Sequence, residues 1–175
     1  MVVFHSCLVY GDEISTRYGF SGNYGFTYDP SHTAHFVSVS CFALYDYDRV
    51  WPHKAPEPLR FKIEGNIGVG YLENGDIRNV GGLGIMALYY LDSISTPHVR
   101  FYVEAGIGVG YTDYRVEEQA YRINFNPQAG IGFDWNIDSD TLCFAALRGH
   151  HLSNAGINDD NRGQNSVLFI LGSYF

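Results

Sequence analysis

Residues 148–165 read RGHHLSNAGINDDNRGQN, and within them His151 and Ser153 stand two positions apart. On an extended strand that spacing puts both side chains on one face. An imidazole can then hydrogen-bond the hydroxyl, given suitable local geometry. This pairing is the least a serine nucleophile requires: the histidine takes the hydroxyl proton as the oxygen attacks an acyl carbon, then returns it to the leaving alkoxide. The plainer reading is a polar girdle position near lipid headgroups, where His and Ser are both tolerable. The choice turns on the elements that carry the pair.

Other groupings offer less. His32 and His35 in HTAH lie at a loop–strand junction without an evident third ligand for a metal. Asn158 to Asn161, NDDN, is rich in oxygen but lacks the spacing and terminal Glu of a calcium loop. GNIGVGYLENG resembles a phosphate-binding loop only superficially, because no helix follows the strand. Neither a metal nor a cofactor is expected.

Strict alternation governs the middle of the chain. In LRFKIEGNIGVGY, Leu59, Phe61, Ile63, Ile67, Val69 and Tyr71 share one face, while Arg60, Lys62, Glu64 and Asn66 share the other. VRFYVEAGIGVGY repeats the split, with Arg100, Tyr102 and Glu104 on the polar side, and INFNPQAGIGFDW repeats it from Ile123 to Trp135. Period two over a dozen residues means long strands with one apolar face and one polar or tiny face. Arg, Glu and Gly on one side, with Tyr, Phe and Trp near the strand ends, fit a barrel whose apolar face is turned to lipid.

Eight strands are expected, at about 13–25, 33–47, 58–71, 79–92, 97–113, 121–136, 140–153 and 164–175. The fold class that follows is all-β, an eight-stranded antiparallel transmembrane β-barrel. Between the strands lie turn-rich pieces such as YDPSH, ENGD and NAGINDDNRG. The chain ends on Phe175 after Val167, Phe169, Leu171 and Ser173 at alternate positions, the pattern of a closing outer-membrane strand. Inner-face glycines are expected to make room for neighbouring Tyr, Arg and Glu, and Arg148, His150, Glu64 and Glu104 to fill the interior as a polar network.

Composition agrees. The chain has 175 residues, enough for one domain, with 20 Gly, 14 Tyr and 12 Phe and a formal charge of -8. Scattered single basic residues leave no footprint for nucleic acid. Cys7, Cys41 and Cys143 have neither an even count nor metal-ligand spacing, so they read as small apolar residues. No apolar run reaches the length of a membrane-spanning helix. Residues 1–11 read as either the remnant of an export signal or a flexible N-terminus, and 12–175 as the barrel domain.

On the seventh strand Cys143, Ala145, Leu147, Gly149, His151 and Ser153 share the apolar face, and Phe144, Ala146, Arg148 and His150 the other. His151 and Ser153 therefore point toward lipid, where two polar side chains have no structural reason to be. If the N-terminus lies in the periplasm, the seventh strand runs outward and the pair sits level with the outer leaflet, where lipopolysaccharide is.

Residues HLSNAGINDDNRGQN resemble the signature of the PagL family of lipid A 3-O-deacylases, outer-membrane esterases on an eight-stranded barrel. The resemblance covers about 25 residues at the C-terminus. It implies Ser153 as nucleophile, His151 as base, and Asn154 with the backbone N–H of Gly156 as the oxyanion hole. The family's triad acid is a Glu twelve residues after the serine, where this sequence has Asn165. An amide can orient the imidazole through its oxygen but gives no charge to the imidazolium, although a Cys-His-Asn arrangement shows that orientation can suffice. Asp159 and Asp160 are lesser substitutes.

The expected function is hydrolysis of an ester-linked acyl chain of lipid A in the bacterial outer membrane, without metal or cofactor. The 3-O position is implied by the resemblance alone. Lipid A is the expected partner, nucleic acid is not, and a homodimer is left open. The rival readings are a non-catalytic structural or surface-interaction barrel of the OmpX kind, and a soluble ligand-binding barrel.

Overall fold

The computed structural model describes residues 16–137 and 141–175. Cys7 and the segment 1–11 lie outside them. Nine strand segments follow in order: β1 (Arg17–Asp29), β2 (Ser31–Asp46), β3 (Leu59–Leu72), β4 (Ile77–Tyr90), β5 (Val99–Thr112), β6 (Ile123–Phe125), β7 (Gln128–Asn136), β8 (Leu142–Leu152) and β9 (Gln164–Tyr174). Every pairing is antiparallel and between consecutive strands, except that β6 and β7 both pair with β5 and not with each other, and β9 pairs back onto β1. The ring is closed, with β6 and β7 forming a single stave, so eight staves make a barrel and no edge is left unpaired.

The sequence predicts one unbroken sixth strand, 121–136. The strand is instead interrupted at Pro127, which accepts from His151 N–H but has no N–H to give, while Asn126 still exchanges two hydrogen bonds with Gly108 at 2.9 and 3.0 Å. The register does not slip: Val109 faces Phe125 before the break and Gly106 faces Gln128 after it. Between the second and third strands, where the sequence predicts a turn-rich piece at 48–58 after a strand ending at 47, Tyr47–Val50 forms one turn of helix, α1. The rings of Tyr47 and Trp51 meet Phe61 edge-on at 6.4 and 5.9 Å between centroids, covering a residue that would otherwise face outward.

Alternation sets the two faces as expected. Ile63, Ile67, Leu83, Ile107, Ile131, Leu147, Phe169 and Leu171 are exposed on the outside. An apolar band encircling the molecule is untenable in water and suits lipid. Among the described residues no helix is long and apolar enough to cross a membrane. Phe175 lies against Tyr18 and Phe20 at 6.5 and 6.4 Å between ring centroids, joining the chain end to the first stave.

The interior is polar and filled. Arg148 donates from Nε to Glu104 (2.8 Å), from its terminal nitrogens to Glu64, and to Gln128 (3.0 Å), while Lys62 bridges Glu104 and Glu64, each at 3.2 Å. Two cations thus meet two carboxylates in a closed set. His150 stands apart from it, its Nδ1 bonded to Asn126 Oδ1 at 3.0 Å. Gly132 is one of the inner glycines the sequence assigns to making room: a Cβ there would overlap the Tyr102 ring.

Candidate active site

β8 reaches the barrel end opposite Arg17 and Phe175. There His150 turns inward and His151 outward, and Leu152 is buried. Ser153, just past the strand, keeps the alternation through a bridge to Phe125: Phe125 N–H donates to Ser153 O at 2.8 Å and Ser153 N–H to Phe125 O at 3.1 Å. Two residues back, His151 N–H donates to Pro127 O at 3.0 Å. This end of the sixth stave therefore holds the backbone of both residues rigid, with the two side chains on one outer face.

The His151 ring is fixed from two sides. Nδ1 lies 2.7 Å from Asn165 Oδ1, and the two residues are opposed in the β8–β9 ladder. An amide oxygen accepts only, so Nδ1 carries the proton and Nε2 is left as the bare nitrogen a general base needs. Against the ring lies Gly163, where a Cβ would overlap Cε1 and crowd Nε2. Gly163→Ala is therefore expected to displace the imidazole from its bond to Asn165 and slow turnover about a hundredfold. The check is turnover against the proportion of folded barrel, which should be unchanged.

Loop 153–163 is a built structure. Asn154 to Ile157 is a tight turn in which Ala155 and Gly156 have φ of 55° and 80°, and Ile157 N–H donates to Asn154 O at 3.2 Å. Positive φ at both central positions marks a type I′ turn, costly for Ala155 and natural for Gly156. Asn154 is buried at 3% exposure, its Nδ2 donating to Asn158 O (3.2 Å) and Asp160 O (3.0 Å) and its Oδ1 accepting the Gly156 N–H (2.9 Å). Gln119 pairs with Asn161, and Gln164 Nε2 donates to Gln119 Oε1 at 3.0 Å, tying this loop to the 113–122 loop.

The model of the family described as PagL, lipid A 3-O-deacylase, matches residues 42–173. The chain belongs to the PagL family. Among solved structures, the outer-membrane enzyme PagL is similar at a TM-score of 0.58 and 22% identity, covering 88% of this chain and 97% of that one. Neisserial surface protein A superposes with a TM-score of 0.62 at 14% identity, over 91% and 94% of the two chains. The N-terminal barrel domain of Pseudomonas aeruginosa OprF gives 0.51 at 15%, over 91% and 97%. At these identities the structures establish the fold, and the family match establishes the lineage. No curated protein sequence matches the chain significantly.

As a PagL-family barrel the chain resides in the outer membrane. Of the residues the sequence singles out, the structure brings His151 and Asn165 into direct contact and puts Ser153 on their face. The Gly156 N–H is held by Asn154 Oδ1, and Asn154 Nδ2 by the carbonyls of Asn158 and Asp160. Asp159 and Asp160 are on the exposed part of the loop, and among the described residues no hydrogen bond joins either to His151. His35 is held elsewhere by Tyr24 Oη at 3.0 Å.

The sequence reading missed Asp29, Arg162 and Gly163. Asn165 Nδ2 donates to Asp29 Oδ2 at 2.9 Å, and Arg162 pairs with Asp29 Oδ1. The carboxylate raises the pKa of Arg162 above its ordinary value, chiefly through that hydrogen bond.

Proposed function

We propose that this chain is a serine esterase that removes the 3-O-linked acyl chain of lipid A. The observation that carries the reading is the 2.7 Å contact of His151 Nδ1 with Asn165 Oδ1 on the outer face that both share with Ser153, a contact that favours the proton on Nδ1 and Nε2 as the base. Nε2 takes the Ser153 proton as Oγ adds to the ester carbonyl. The tetrahedral oxyanion collapses, the C–O bond to the sugar breaks, and His151 returns the proton to the sugar oxygen. Water, deprotonated by the same Nε2, then hydrolyses the acyl-serine and frees a 3-hydroxy fatty acid.

The Gly156 N–H and Asn154 are the proposed oxyanion donors. In the resting loop the Gly156 N–H donates to Asn154 Oδ1 at 2.9 Å, while Asn154 Nδ2 donates to Asn158 O and Asp160 O. A charged oxyanion competes well for an N–H that a neutral amide oxygen holds at rest, since bonds to ionised acceptors are about twice as strong.

The place of the pair suits a lipid substrate. Below it, on the outer wall, runs an apolar groove lined by Tyr24, Ile131, Phe133, Ala145, Leu147 and Phe169. With the termini in the periplasm, as in barrels of this kind, the site lies at the outer leaflet and the groove can seat an acyl chain.

Gly149 stands between groove and His151 on the same face, and a Cβ there meets only the Ala129 carbonyl oxygen, at 3.9 Å. Gly149→Phe is thus tolerated by the barrel but obstructs the chain. It is expected to slow lipid A turnover roughly tenfold or more while sparing a short soluble ester. Equal losses on both substrates would place the acyl chain elsewhere.

Regiochemistry is tested by tandem mass spectrometry of the product. Loss of the 3-O chain supports the reading, and loss from another position corrects it. No loss from a folded barrel across several lipid A types would favour a non-catalytic barrel.

A further inference from the structure

The serine mechanism proposed above leaves a charge missing. Asn165 holds His151 in place but offers no negative charge to the imidazolium that forms when Ser153 attacks. The hydrogen bonds do not stop at Asn165. The ladders set His151 opposite Asn165 between β8 and β9, and Asn165 opposite Asp29 between β9 and β1, so three staves carry the three side chains abreast. Nδ1 of His151 meets Asn165 Oδ1 at 2.7 Å, and Asn165 Nδ2 meets Asp29 Oδ2 at 2.9 Å.

Asp29 is on this face because β1 departs from its own alternation. Along β1 the odd residues Ser21, Asn23 and Thr27 are buried inside, and by that parity Asp29 would follow them. Between Thr27 and Asp29 the register with β9 shifts: Thr27 faces Ser166, and Asp29 faces Asn165, the very next residue back. One extra residue on β1 is a bulge, and a bulge re-aims the side chain beyond it. Here it turns a carboxylate onto the outer rim beside Asn165, where Arg162 holds its other oxygen.

We propose that Asp29 is the carboxylate of this site, acting on His151 through the amide of Asn165. Its role is to set a chain of orientations. An ionised carboxylate accepts hydrogen bonds and donates none, so Asn165 must turn its NH₂ toward Asp29 and its oxygen toward His151. That oxygen keeps the proton on Nδ1 and leaves Nε2 bare. Without Asp29 the amide can turn over, donate to Nδ1 and drive the proton to Nε2, where the imidazole cannot act as base. Asp29 touches neither substrate nor reacting atoms and is a positioning residue. The two residues together do what a single Glu does at the Asn165 position elsewhere in the family.

The inference rests on the Ser153–His151 reading, and one set of variants separates them. Wild type, Ser153→Ala, Asp29→Asn, Asn165→Glu and the double Asp29→Asn/Asn165→Glu are assayed on lipid A in detergent, with folding followed by gel mobility of unheated protein. Asp29→Asn is expected to lower kcat at least about tenfold with KM within about twofold, the pattern of an interaction that matters in the transition state. Asn165→Glu, which puts a carboxylate directly on Nδ1, should retain or raise activity. In that background Asp29→Asn should change kcat by less than about twofold, the non-additivity expected of coupled residues.

Full kcat in Asp29→Asn beside an inactive Ser153→Ala overturns the role of Asp29 alone. The same fold loss in both backgrounds, or loss of the folded band in both, assigns Asp29 to the architecture of the rim and overturns it equally. So does an inactive Asn165→Glu enzyme, since a carboxylate at Nδ1 is the partner the proposal calls for. An active Ser153→Ala removes the underlying reading and the inference with it.

Discussion

Ser153→Ala and His151→Ala are each expected to leave a folded barrel that no longer releases fatty acid from lipid A, with the rate down by about 10⁴-fold or more. The size of the loss follows from what each residue does in the same step. Without Oγ there is no acyl-enzyme, and without Nε2 the hydroxyl keeps its proton at neutral pH and the sugar alkoxide leaves without one. The losses should not add: the double variant should be no worse than either single one, because the pair acts as a unit. Folding should survive because neither side chain is in the interior network, and the backbone bonds that place them, from His151 N–H to Pro127 O and between Ser153 and Phe125, do not depend on side-chain identity. The comparison is fatty-acid release per folded protein, and substantial release by either single variant would count against the mechanism.

Arg148→Ala is expected to have the largest effect on stability. Arg148 sits at the centre of the barrel at 3% exposure and contacts Glu104, Glu64 and Gln128 together. Removing it leaves two buried carboxylates with Lys62 as their one cation, bridging both at 3.2 Å. Breaking a buried pair by deleting one partner costs about 3–5 kcal/mol, because an uncompensated charge stays behind. The unfolding midpoint in urea should fall accordingly. Replacing Lys62, Glu64, Glu104 and Arg148 together by uncharged residues of similar size should recover most of the loss, since no orphan charge remains. Equal stability of Arg148→Ala and wild type would mean that water takes over the guanidinium's role.

The barrel was legible because alternation is a property of each strand by itself. Arg60, Lys62, Glu64 and Glu104 fall on one parity and Ile63, Ile67 and Ile107 on the other, and the closed ring follows from the need to face lipid without an edge. His151 and Ser153 were legible for the same reason: two polar residues on an apolar parity. What was not legible depends on relations between strands. The lapse at Pro127 could be guessed from the proline, but its harmlessness depends on the register to β5 and β8.

Asp29 was hidden more deeply. Counted along β1 it belongs inside, and only the bulge past Thr27 brings it round to Asn165. No feature of the local sequence fixes that shift, because it is set by how β1 closes against β9 and turns into β2. Gly163 was hidden likewise, since its importance lies in the His151 ring packed against it from a stave whose position the sequence does not state. The proposed oxyanion donors, Asn154 and the Gly156 N–H, were named from family resemblance, and the bond from Gly156 N–H to Asn154 Oδ1 at 2.9 Å is visible only in the folded loop.

The most direct measurement places folded wild-type protein and Ser153→Ala side by side in detergent with purified lipid A and follows acyl-chain loss by mass spectrometry. Loss of one hydroxyacyl chain with wild type and none with Ser153→Ala is the predicted result. The same loss from both proteins, or none from either across several lipid A types, contradicts the account: the first removes Ser153 as nucleophile, and the second leaves His151 and Ser153 as girdle residues of a structural barrel.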